Sequence, residues 1–188
     1  MRPTEIRQQT ELHGEGWVLP HAERLLALAA AVLPEGGYDR EALTYAAYLH
    51  DWAALAHWGG ARLDHAARSA EIARDEVLLQ TDLDPARQAL VVKAIAYHDY
   101  RDERTPPSSE ALLLREVDML DMLGVIGIAR EFSSGPRDLQ AVVRRSEQKQ
   151  ALIVERLTLP AARALAADRL ARMGLFLSQL AEESLGWL

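Results

Sequence analysis

Arg40-Glu41-Ala42-Leu43-Thr44-Tyr45-Ala46-Ala47-Tyr48-Leu49-His50-Asp51 decides the fold class. Its inward positions, Leu43, Ala46, Ala47 and Leu49, are small or apolar, so the stretch reads as the buried face of a helix capped by Asp39. The spacing predicts a helix over 40–57, ended by Gly59-Gly60, with at least one of His50 and Asp51 directed inward.

The same pattern extends to both sides. Trp17 to Leu33 reads as a helix stopped by Pro34 and Gly36-Gly37. A third helix is expected from about Arg62 to Leu79. Asp84-Pro85, a cap followed by proline in the first turn, starts a fourth that ends near His98. Asp99 to Pro107 is a polar loop. Ser108 or Ser109 caps a long fifth helix running to about Phe132, in which Gly124 and Gly127 suggest close packing or a bend, and Ser133-Ser134-Gly135-Pro136 ends it. Two more helices, 137–157 and 160–185, bring the total to about seven. The last carries the stripe Ala166, Leu170, Met173, Leu177 and Leu180, which packs on the body or on another subunit, so a monomer or a homodimer is expected. Residues before Trp17 read as a polar leader in which His13 is ordinary.

With 188 residues and 49% apolar content, the chain is the size of one domain, 1–188, and can bury a core unaided. Ala and Leu dominate the apolar set and aromatic residues are 6%, which favours an all-α, single-domain helical bundle. A net charge of -7 argues against duplex nucleic acid as a partner. A small anionic substrate is still admissible, because a metal ion or a few arginines reverse the sign locally. The absence of cysteine removes disulfides, thiolate zinc sites and a cysteine nucleophile, so any metal is held by nitrogen and oxygen. The longest apolar run, Leu25 to Leu33, is too short to span a bilayer, and no signal-like run opens the sequence; the expectation is a cytoplasmic protein with no membrane partner.

Asp118 is the clearest anomaly. It shares the apolar face of its helix with Leu114 and Met122, and an uncompensated carboxylate there costs on the order of several kcal/mol. Either a buried Arg or Tyr meets it or a cation does. The histidines add weight to the second reading: His21 lies early in the first helix, His50-Asp51 ends the second, His65 begins the third, and His98 ends the fourth. Side chains from successive bundle helices can converge on one interior point, as bundle metal sites do.

With these residues in this order, the sequence resembles the HD superfamily of metal-dependent phosphohydrolases, whose signature is a His, a His-Asp pair and a distant Asp. Here those are His21, His50-Asp51 and Asp118. His21-Ala22-Glu23-Arg24, Tyr45 to Asp51 and Glu116 to Gly124 resemble the family's surrounding segments, and the similarity spans about 17–182. The resemblance implies an HD-type helical fold and one or two divalent ions (Mn, Fe, Ni, Co, Zn or Mg) held by His21, His50, Asp51 and Asp118. It implies hydrolysis of a phosphomonoester or phosphoanhydride, a nucleotide among the candidates, by metal-activated water. His65 and His98 would hold a second ion with Asp51 as the bridge, or contact phosphate.

One departure stands out: Trp52-Ala53-Ala54-Leu55 lacks the acidic residue or lysine that several branches carry after the pair. Asp118, Asp121 or Asp99 are then candidates to orient water, and His65 or His98 to protonate the leaving oxygen. Arg62, Arg68, Arg101, Arg104 and Arg130 are the candidates for phosphate, of which one or two are expected to act. His57 and Trp58 either line the mouth or pack in the core. The alternatives are a catalytically weak metal- or nucleotide-binding regulatory module and a di-iron oxygenase of the same superfamily.

Overall fold

A computed structural model describes residues 1–60, 64–135 and 137–188. Among the described residues there are nine α-helices, linked by turns and short 3-10 or π segments, and no strand. They form two compact units, Met1–Val117 and Asp118–Leu188.

The first unit holds α1 (Pro3–His13), α2 (Val18–Val32), α3 (Arg40–Leu49), α4 (His65–Ile72), α5 (Pro85–Ala96) and most of α6 (Ser109–Asp121). α3 is its centre, packed on α1, α2 and α5, and α5 in turn packs on α4. Leu25, Leu43, Leu49, Ile72, Val91 and Ile95 are buried there, each such side chain being worth about 1.5–3 kcal/mol of transfer free energy. The expected caps form: Asp39 accepts from the Ala42 amide at 3.0 Å, and Asp84 from the Ala86 and Arg87 amides at 2.9 Å.

The helix count rises from the expected seven for two reasons. The polar leader is itself a helix, α1, with Ile6 and Thr10 buried. The long fifth helix is two: α6 ends at Asp121 and α7 starts at Gly124, whose φ of 77° leaves the right-handed region. At Gly127 a Cβ would lie 2.1 Å from the Met122 carbonyl oxygen, so α7 approaches the end of α6 more closely than a side chain permits. The helix expected over 40–57 also stops early, at Leu49, and continues only as the 3-10 turns Trp52–Ala54 and Ala56–Trp58. The expected third helix runs as α4, then as a π segment Ala73–Val77 and a 3-10 turn Leu78–Gln80.

In the second unit α7 (Gly124–Ser134), α8 (Leu139–Arg156) and α9 (Pro160–Glu183) pack on one another. Asp138 caps α8, and Pro160 opens α9. Ala166 and Met173 of the anticipated stripe are buried, while Leu170, Leu177 and Leu180 are half-buried. No helix among the described residues is long and apolar enough to cross a membrane.

Candidate metal centre

His50 and His98 are built alike. Each stands just past the C-terminal end of a helix, where the last carbonyls lack intrahelical partners. His50 Nδ1 donates to the Ala47 carbonyl at 2.8 Å, and His98 Nδ1 to the Ile95 carbonyl at 2.7 Å. A carbonyl only accepts, so both Nδ1 atoms carry the proton and both Nε2 lone pairs point inward. Buried Nε2 acceptors pinned by a backbone bond are the state in which imidazole ligates a metal.

Asp51 leaves the helix with φ -105° and ψ 9°, in the bridge region that many active-site residues occupy. Its neighbours are fixed from two sides. The Trp52 indole donates to the Thr10 hydroxyl of α1 at 3.0 Å, and the Ala53 amide donates to the Ser69 hydroxyl at 3.1 Å. The Thr10 support is not legible in the sequence, which reads α1 as a polar leader.

One carboxylate then meets four imidazoles. Asp51 Oδ2 lies 3.4 Å from His50 Nε2 and 3.9 Å from His21 Nε2, while Oδ1 lies 3.5 Å from His65 Nε2 and 3.7 Å from His98 Nε2. Within each pair the nitrogens nearly touch: His21 Nε2 to His50 Nε2 is 3.2 Å and His65 Nε2 to His98 Nε2 is 3.1 Å. Two nitrogens about 2.1 Å from one cation, at angles between octahedral and tetrahedral, lie about 3.0–3.4 Å apart. The donor sets His21, His50, Asp51 and Asp51, His65, His98 therefore both fit a divalent ion.

Burial alone would push the Asp51 carboxyl up. His50 and then His98 override it by charge and hydrogen bonding and hold it well below the ordinary carboxylate range. For His65, burial first and the neighbouring His98 second hold the imidazole below its usual value, so at neutral pH it keeps its lone pair for a metal.

Asp118 is buried in the last turn of α6, in the second unit, and its part in the ligand set rests on the resemblance. Asp121 is also buried and accepts from Arg130 Nη1 at 3.0 Å. Of the other arginines, Arg62 lies outside the described residues. Arg68 pairs with Glu71 on the exposed side of α4. Arg101 and Arg104 border a cleft of ≈ 400 Å³ that also touches Asp64, Asp99 and Asp102. Each is held by the aspartate two residues before it, Arg101 by Asp99 at 2.5–3.1 Å and Arg104 by Asp102 at 2.6–3.0 Å. The repeated Asp-x-Arg of Asp99-Tyr100-Arg101 and Asp102-Glu103-Arg104 is the sequence signal for this pairing. His13, His57 and Trp58 form an aromatic cluster, His13 and His57 stacked at 3.9 Å and Trp58 stacked on Trp52 at 4.1 Å. Trp17, half-exposed, has its ring 6.4 Å from that of His21, a neighbour the sequence did not flag.

A helical fold whose interior holds one aspartate between two histidine pairs offers donor sets that could hold a metal ion, and solved structures share the fold. A predicted HD superfamily hydrolase from an uncultured Thermotogales bacterium is 26% identical, over 96% of this chain and 91% of its own, with a TM-score of 0.68. Bacillus subtilis YpgQ, solved in complex with ADP, is 22% identical over the whole of both chains with a TM-score of 0.77. An HD-superfamily hydrolase from Bacillus thuringiensis is 23% identical over 96% of this chain and 93% of its own, with a TM-score of 0.69. The sequence matches no family profile and no curated relative. By its fold and its similarity to the Thermotogales structure, the chain belongs to the HD superfamily.

Proposed function

We propose that the chain is a metal-dependent hydrolase of phosphomonoesters or phosphoanhydrides, with nucleotides among its substrates. The observation that carries this reading is the Asp51 carboxylate, one oxygen facing His21 and His50 and the other facing His65 and His98. Divalent ions at such a site supply Lewis acidity toward a phosphoryl oxygen and acidify water. His50 and His98 hold their lone pairs inward by backbone bonds, and Asp51 supplies the negative charge that favours a divalent cation. His65 is the most exposed of the four imidazoles, at 17%, so its side of the centre is the one best placed to meet a substrate.

The nitrogen-rich donor set favours Mn, Fe, Co, Ni or Zn over Mg. The hydrolase class is supported by the likeness to a structure described as a predicted HD superfamily hydrolase, and a phosphorylated substrate by the ADP found with YpgQ. The small anionic substrate would approach from the cleft beside Asp99. The test is elemental analysis of the purified protein, followed by a phosphate-release screen of esters and nucleotides supplemented with each metal in turn. Phosphate release that depends on the metal is expected. Metal bound in full with no phosphate released from any substrate overturns the reading and leaves a binding or redox role.

A further inference from the structure

His65 differs from His50 and His98 in the partner of its Nδ1. That atom faces no backbone acceptor among its described contacts; it faces the Asp99 carboxylate, with Oδ2 at 3.7 Å. In the metal-free protein the 3.1 Å contact with His98 fixes where the His65 proton sits. His98 spends its own proton on the Ile95 carbonyl, so His65 Nε2 donates to His98 Nε2. A His65 that ligates through Nε2 must instead hold its proton on Nδ1, where Asp99 is the acceptor in reach.

Asp99 is itself aimed. Its Oδ1 accepts the Arg101 backbone amide at 2.8 Å, a turn that keeps the carboxylate in place independently of the Arg101 side chain, and the Arg101 guanidinium grips Oδ2 at 2.5 Å. The carboxylate is only 14% exposed and borders the cleft.

We infer that Asp99 is a positioning residue: it receives the Nδ1 proton of His65 and so sets the tautomer in which His65 joins His98 and Asp51 around a cation. The Arg101 guanidinium holds the same oxygen and is dispensable, because the backbone amide suffices. This inference rests on the metal-centre reading above, not on the reaction assigned to it.

Three variants test it, with zinc binding rather than turnover as the readout, by competition against a chelator on the folded, full-length protein. Outer-shell partners of ligating histidines are typically worth about 10- to 100-fold in metal affinity, and D99A is expected to weaken the ion at the His65 and His98 pair by that much while sparing the ion at His21 and His50. D99N is expected to be at least as damaging. With its oxygen kept on the Arg101 amide, it turns an NH₂ toward His65 Nδ1 and favours the wrong tautomer. R101Q is expected to retain both ions. A purely structural role for the turn predicts the opposite order, because D99N preserves the turn and D99A does not.

Second-ion affinity unchanged in D99N, a milder effect in D99N than in D99A, or a wild-type protein that never takes a second ion would each overturn the inference. If the predicted order of affinities holds while no substrate releases phosphate, the hydrolase reading fails and the positioning role stands.

Discussion

In the second unit the buried Glu131 carboxylate lies against Arg145, at 2.7 Å, and against Lys149, and the buried Asp121 lies against Arg130 at 3.0 Å. In the first unit the buried Asp51 carboxylate faces four imidazoles, and no lysine or arginine among the described residues pairs with it. Permanent cations settle the first two carboxylates at any ordinary pH. Around Asp51, His50 and His98 hold the carboxyl low in the metal-free protein, and a divalent cation at the same donor atoms would supply its counter-charge. The company a buried carboxylate keeps thus separates a structural ion pair from a metal site.

The largest expected effect breaks the comparison at its centre. Asp51→Ala removes the carboxylate shared by both donor sets, so elemental analysis should find both ions gone. Hydrolysis should fall by about 10³-fold or more, since a catalytic ion contributes several kcal/mol of transition-state stabilisation. Bound metal retained at full stoichiometry would sink the proposed ligand set.

A finer cut separates the two histidine pairs. His50→Ala should abolish the ion beside His21, whereas His98→Ala should spare that ion and lose the one beside His65. Loss of a direct ligand should cost more than the 10- to 100-fold typical of an outer-shell partner. Equal losses of both ions in both variants would show one shared site instead of two, and zinc stoichiometry measured by competition decides it.

The Asp51 side of this contrast was visible in the sequence, for identifiable reasons. The order His21, His50-Asp51, His65, His98 was readable because each residue marks a helix end or start, and α5 announced itself through Asp84-Pro85, a cap followed by proline in the first turn. α1 was not legible, because Ile6 is its one large apolar residue facing the core and Thr10, the other buried position, is polar. The end of α3 was misplaced because Trp52-Ala53-Ala54-Leu55 continues the apolar run, while the chain turns at Asp51 to aim its carboxylate. Of the five arginines the sequence offers for phosphate, one or two are expected to act, and it does not say which. Pairing of Arg101 with Asp99 and of Arg104 with Asp102 depends on tight turns, in which the amides of Arg101 and Arg104 bond the same aspartates at 2.8 and 2.9 Å, and composition does not report such local geometry.

The smallest effect lies in the second unit and sharpens the contrast by leaving metal alone. Burial alone would push the Glu131 carboxyl up, but the Lys149 ammonium and the Arg145 guanidinium hold it below its ordinary 4.5. A carboxyl whose folded value is depressed contributes stability that is fully present above the unfolded value and is lost as pH falls through the folded one. The Glu131 contribution should therefore be intact at neutral pH and fade only below about pH 4.5. Glu131→Gln should cost about 1–3 kcal/mol at pH 7, toward the lower end because Arg145 is 42% exposed and partly screened. Below that window the variant and the parent should converge in denaturant midpoint. Zinc stoichiometry should be identical in the two at pH 7. A Glu131→Gln protein that loses metal would mean that its permanent ion pair does not act as the independent structural element its partners imply. A midpoint difference that persists undiminished into acid would mean that shape rather than charge is what Glu131 contributes.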